Sequence, residues 1–217
     1  KISDMHFSAP PVSNDDNVLK GMTLAADAHF SRVWSAANVG SMTDGLKLYD
    51  SSDKTSYTDF KWESDAAKAI NPSVRYDVNG NVKDDGEYLC GFTMDLNQTV
   101  KVSSFALYNV RTMMDIDGFD LFVSTDQTNW TRIFKGEKLA SGCKYKIHNT
   151  TTNYIDGTFT PVDARYVRFC LTAPRCQTAT QAEIDAYVAK YGQPSSTVPN
   201  AAPHYFRIVE FELFREK

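Results

Sequence analysis

The residues able to do chemistry are present in this sequence, but not in catalytic spacing. The four histidines, at 6, 29, 148 and 204, stand too far apart for a metal-ligand motif. There is no HExxH pair, no GxSxG nucleophile elbow and no glycine-rich loop to cradle a phosphate. The stretch 77–88, DVNGNVKDDGEY, starts like a calcium loop, with Asp77, Asn79 and Asn81 at its first, third and fifth places. It fails where the loop is most demanding: Val82 takes the place of the turn glycine and Tyr88 that of the bidentate glutamate. An Asn-Gly or Asp-Gly hairpin between strands suits these residues better. Cys90, Cys143, Cys170 and Cys176 contain no CxxC spacing, so a zinc ribbon is excluded. They permit three pairings or free thiols, and a small Cys170–Cys176 staple around Pro174 is one option. With no nucleophile beside a base and no ligand cluster, the sequence predicts a protein that is not an enzyme.

The chain that must position any site has 217 residues, with 23 Lys and Arg against 27 Asp and Glu, a net charge of −4. That length sustains a buried core without help from metals or disulfides. A nucleic-acid binder is expected to carry a basic excess, which is missing. No apolar run reaches the ~18 residues of a membrane-spanning helix. The chain starts at Lys1 without a charged-then-apolar leader, so it reads as a mature or excised part of a longer product, tethered to other domains. Thirteen Phe, 11 Tyr and three Trp favour β-structure.

Residues 1–16, with Pro10-Pro11 and Asp15-Asp16, read as a linker or leading arm. Beyond them short apolar alternations recur between turn signals, as in a sandwich or barrel. Phe92, Met94 and Leu96 alternate with polar neighbours, as do Phe105 and Leu107, Phe119, Leu121 and Val123, Val167, Phe169 and Leu171, and Val209, Phe211 and Leu213. The apolar parity slips between Ile208 and Val209, which predicts a bulge there. One helix is expected, with Thr180 and Glu183 as a capping box, Ile184, Tyr187, Val188 and Tyr191 on one stripe, and Gly192 as its stop. Residues 172–204 therefore read as an insertion between two core strands.

Six segments, in order, resemble the discoidin family, also called the coagulation factor V/VIII type C domain. They are NVLKG (17–21), SMTDG (41–45), FTMDLNQTVKVSSFALYNVR (92–111), FDLFVSTDQTNWTRIF (119–134), ARYVRFCL (164–171) and FRIVEFELF (206–214). Asn97 and Gln127 stand where the family usually has glycine, and loop 46–61 and the 172–204 insertion are longer than usual. No cysteine lies near either end, where animal members place a disulfide, so the resemblance is greatest to the bacterial family 32 carbohydrate-binding modules. The resemblance implies an all-β fold over residues 17–217, a jelly-roll β-sandwich of the galactose-binding-domain kind with about eight main strands.

The function it implies is that of a non-catalytic carbohydrate-binding module in a secreted or cell-surface, multi-modular bacterial glycan-active enzyme. The partner would be a glycan, containing galactose or N-acetylhexosamine. The alternative is an adhesion or scaffold module for a protein or lipid surface, with Met113-Met114 as an apolar tip. Sugar recognition pairs an aromatic platform with fixed hydrogen-bond donors. Arg111 stands where the resemblance places a sugar-binding arginine, with Asn109 beside it and Trp34, Tyr57, Phe60 and Trp62 as platform candidates. Trp130 is assigned to the core. The resemblance also implies one structural calcium, with Asp44 and Glu210 at the family's ligand positions. The Val209 carbonyl, Asp50, Asp53 and Thr55 are candidates for the remaining oxygens.

Overall fold

The structure, a computed structural model, describes residues 16–25, 35–61, 75–110, 116–136, 146–174 and 205–217. Residues 1–15 of the arm, Cys143, Cys176, the Met113-Met114 tip and the expected helix at 180–191 lie outside these. Nine strands form two sheets among the described residues. A three-stranded sheet has the order β1 (Ser35–Ala37), β2 (Thr58–Lys61), β8 (Tyr205–Ile208). A six-stranded sheet has the order β5 (Thr131–Lys135), β4 (Ile116–Ser124), β7 (Thr152–Pro174), β3 (Cys90–Val110), β9 (Glu210–Arg215), with β6 (Lys146–Ile147) paired to β7. Every strand pair among the described residues is antiparallel, and β3, β4, β7 and β9 turn alternate apolar residues into the core, as the alternations predict. The fold is the all-β jelly-roll sandwich expected.

The core between the sheets is a stack of phenylalanines. Phe60 packs on Phe92 and Phe206, with ring centroids 4.7 and 4.6 Å apart. Phe169 packs on Phe92 at 5.1 Å and Phe119 at 5.2 Å. β3 feeds this core along its whole length, but not with a single parity. Phe92, Met94, Leu96, Val100 and Val102 point inward, and then Phe105 and Leu107 do. The register against both β7 and β9 slips between Val102 and Ser104. One extra residue turns every later side chain to the opposite face, which is what this bulge does. The segments expected as a strand pair in 92–111 are thus one strand. A second irregularity, between Asp95 and Val100, interrupts it without ending it.

Asn97 and Gln127 both adopt φ of 60°, the left-handed region, so the two places where the family usually has glycine do have a backbone that suits glycine. Asparagine tolerates that region; glutamine does not, at a cost of about 1–2 kcal/mol. Gln127→Gly is expected to raise stability by about 0.5–1 kcal/mol after the extra freedom of the unfolded glycine is subtracted. Asn97→Gly is expected to do less. Urea denaturation of both variants checks this, and a destabilised Gln127→Gly would contradict it.

Three other expectations change in detail. NVLKG is a turn with one bridge rather than a strand: Asn17 bridges Phe214, and its Oδ1 accepts from the amides of Leu19 (3.0 Å) and Leu213 (3.1 Å). Thr172 to Pro174, which the sequence reading gives to the 172–204 insertion, complete β7. Trp130 is not in the main core. It is half-buried against Tyr88, Phe122 and Cys170 on the outer face of the large sheet. There its ring covers the buried Arg168 guanidinium at 4.1 Å, and its Nε1 donates to Asn79 Oδ1 at 3.1 Å. The 77–88 stretch is the turn expected, with Gly80 at φ 79° and Tyr76 bridged to Val82 and Tyr88.

Candidate functional site

The last residues of β3 alternate as expected. Tyr108 and Val110 join the outer cluster, while Asn109 turns inward behind Leu107. Arg111, the next residue, lies outside the described residues, as do Trp34 and Trp62. Of the other platform candidates, Phe60 sits in the middle of the core stack. Tyr57 is only 5% exposed, with the Arg207 guanidinium 5.0 Å from its ring and Tyr49 5.3 Å away. Neither offers an open face, so both are corrected from platform to packing residues. Burial decides this: Phe60 alternates with Asp59 on β2, and the inward place of a strand opposite Phe206 must be filled by something apolar. Asn109 is fully buried and is also corrected: it has no surface for a ligand to reach.

The calcium candidates divide into two groups. Asp44 and Glu210, 166 positions apart (210 − 44), are brought together. A short 3-10 helix, Val39–Thr43, runs into Asp44, and Gly45 follows with φ of 89°. That turn aims the Gly45 amide at Glu210 Oε2, 3.1 Å away. Glu210 Oε1 is buried with no hydrogen-bond partner. Burial holds the Glu210 carboxyl far above the usual range, at about 9; the Gly45 amide and Lys47 oppose this, while Glu212 and Asp44 add to it. Asp44 is also raised, chiefly by burial.

Asp50, Asp53 and Thr55 form a second group, whose side-chain bonds stay local. Asp50 Oδ1 accepts from the Ser52 amide at 2.8 Å and hydroxyl at 2.7 Å. Asp53 Oδ1 accepts from the Thr55 amide at 2.8 Å and hydroxyl at 2.6 Å. Val209 occupies the expected irregularity, and the reason is topological: the chain leaves the small sheet after Ile208 and enters the large one at Glu210. Ile208 therefore faces the main core and Val209 the outer cluster. The Val209 amide donates to the Tyr108 carbonyl at 2.9 Å.

Sequence reasoning missed the residues that surround Glu210. Lys47 Nζ lies 2.8 Å from the buried Glu212 carboxylate and 5.0 Å above the Tyr108 ring. The Tyr49 amide donates to Thr152 Oγ1 at 3.3 Å, and Asn149 Nδ2 to the Lys47 carbonyl at 3.1 Å. Segment 45–49 is thereby laid across the outer face of the large sheet, with Lys47 and Tyr49 inward and Leu46 and Leu48 exposed. One signal was available: in VEFEL, Glu210 and Glu212 occupy the same face of a strand whose other face is apolar. Among the described residues no group of three or more His, Cys, Asp or Glu is arranged to hold a metal, so any cation here would need backbone carbonyl oxygens as well.

A family model described as the F5/8 type C domain matches residues 48–184. No curated protein matches the chain. Among solved structures, the lectin domain of lectinolysin complexed with Lewis B antigen is 16% identical, with a TM-score of 0.48 over 93% of this chain and 97% of that one. Chitosan-binding module 1 from a chitosanase/glucanase of Paenibacillus sp. IK-5 is 15% identical, with a TM-score of 0.46 over 91% and 98%. A Streptococcus pneumoniae fucose-binding module is 13% identical, with a TM-score of 0.46 over 92% and 95%.

Proposed function

From the premise that the chain belongs to the F5/8 type C domain family, whose members are non-catalytic binding modules, we propose that it binds a glycan. The observation that carries this reading is the end of β3 at Val110, which the sequence continues with Arg111, the residue that the family resemblance matches to a sugar-binding arginine. Tyr108 pairs with both β7 and β9, and Asn109 and Val110 pair with β7. An arginine side chain offers a planar fork of N–H donors that suits sugar hydroxyls. The binding partner we infer is a galactose- or N-acetylhexosamine-containing glycan. The setting is a secreted or cell-surface, multi-modular bacterial glycan-active protein. Among the described residues no helix is long and apolar enough to cross a membrane.

A glycan array on the 217-residue chain identifies the ligand, and calorimetry then tests Arg111→Ala. Loss of charge-assisted hydrogen bonds is expected to weaken binding ten- to a hundred-fold, about 1.5–3 kcal/mol. Unchanged affinity in a folded variant would reject Arg111. An array with no hits would reject glycan binding. The surface-binding alternative has one observation in its favour, Leu46 and Leu48 at 64% and 60% exposure on segment 45–49. Vesicle or protein capture lost in a Leu46→Ser, Leu48→Ser double variant, together with a blank array, would transfer the reading to it.

We also propose that the module holds one structural calcium, and the chemistry of Asp44 and Glu210 fits. A buried carboxylate oxygen without a partner is costly unless a charge meets it. Here two carboxylates converge, and calcium favours carboxylate and carbonyl oxygens. When bound, the cation would neutralise the two acids and tie the turn after Asp44 to β9. Val209 at the sheet crossover is the candidate to add a carbonyl oxygen. Asp50, Asp53 and Thr55 remain candidates on condition that they exchange their local hydrogen bonds for the ion.

A further inference from the structure

Asn109 and Asn153 are direct cross-strand partners near the ends of β3 and β7 that pair with one another. Directly opposed residues share a face, with Cβ atoms about 5 Å apart. The face is the inner one, for Asn109 follows Leu107 and Asn153 precedes Ile155, and both of these pack in the main core. The two asparagines are buried to 0% and 5% exposure. Three of their side-chain atoms have no hydrogen-bond partner: Asn109 Nδ2, Asn109 Oδ1 and Asn153 Oδ1. Buried amide atoms without partners are rare in folded proteins, because each forfeits its hydration with no return.

The three atoms comprise two acceptors and one donor. We infer that a single buried water lies between Asn109 and Asn153, donating to both Oδ1 atoms and accepting from Asn109 Nδ2. Water is the one small molecule that supplies two O–H donors and a free lone pair at once, and buried waters make about three such bonds. A sugar hydroxyl has one proton to donate and would leave one acceptor unmet, and the burial of Asn109 bars it. A cation would be repelled by the amide N–H. Exchanging the Oδ1 and Nδ2 assignments of Asn109 leaves the count unaltered, since the amide still offers one donor and one acceptor there. The water site accounts for why a strand otherwise apolar on its inner face ends in asparagine. It does not depend on glycan binding.

The test uses the full chain in three variants, Asn109→Leu, Asn153→Leu and the double variant, leucine being close to asparagine in shape. Each single variant strands the opposite amide and is expected to shift the folding equilibrium about tenfold toward the unfolded state. The double variant removes all three polar atoms and the water together, and is expected to lose no more than the worse single variant. Additive losses in the double variant would overturn the inference. A high-resolution crystal structure of the wild-type chain is expected to show one water in contact with both side chains. Direct amide-to-amide bonding with no water between them would overturn it equally, even if the variants fold poorly.

Discussion

Chelation of the calcium-loaded chain is expected to lower its melting temperature by about 10 °C. An ion that binds only the folded state stabilises it by about 4 kcal/mol when present at a thousand times its Kd, and a chain of this size shifts by about 2–4 °C per kcal/mol. The pH dependence of the chelated protein carries the sign. Glu210 holds its proton to about 9 when folded but releases it near 4.5 when unfolded. Between those values the folded state binds the extra proton, so rising pH favours unfolding, by up to about 1.4 kcal/mol per pH unit. The chelated protein is therefore expected to be most stable in mild acid and to weaken steadily toward pH 9. With calcium bound, Glu210 is already ionised and that slope should disappear. Glu210→Gln keeps an acceptor for the Gly45 amide but carries no charge. It is expected to lose the calcium response and to flatten the chelated pH profile, whereas Asp84→Ala, at an exposed turn, should alter neither. Melting curves that ignore chelator, with no metal by elemental analysis, would remove calcium from the account and leave the Asp44 turn held to β9 through the Gly45 amide and its neighbours.

Phe169→Ala is expected to cost about 3–5 kcal/mol, the range for emptying a buried aromatic site. Its ring touches Phe92, Phe119 and Phe206 at centroid separations of 5.1, 5.2 and 5.6 Å, so it joins strands of both sheets. The loss includes both the apolar area and the stacking that the other three rings cannot recover without moving. Phe169→Leu retains most of the volume and should cost markedly less. Urea denaturation measures both, and a loss below about 1 kcal/mol for the alanine variant would show that the sheets can close over the gap. A stability margin of about 5–15 kcal/mol makes the alanine variant vulnerable to unfolding during expression, so the leucine variant is the firmer comparison.

The strands were readable from local pattern because a half-buried strand imposes period two on its own residues. Phe92, Met94 and Leu96, or Val167, Phe169 and Leu171, needed no partner to be recognised, and all six are buried in the core. The backbone at Asn97 and Gln127 was readable too, through the glycines that the family resemblance places there, since φ above zero is a local property. The pairing of Asp44 with Glu210 came from the same resemblance, not from spacing, because a contact between positions 44 and 210 leaves no periodicity behind. What the sequence could not show is which aromatic faces water. Tyr57 and Phe60 look like platform residues in a loop-rich stretch, yet Phe60 on β2 stacks in the core between the sheets, and Tyr57, just before β2, packs against Tyr49 and Arg207. Trp130 went the other way, to the outer face, because the 75–88 segment folds over the sheet there and supplies Asn79 for its indole N–H. The orphaned atoms of Glu210, Asn109 and Asn153 are likewise tertiary facts. A polar side chain becomes unsatisfied only when distant segments close over it, and that closure depends on which strands meet.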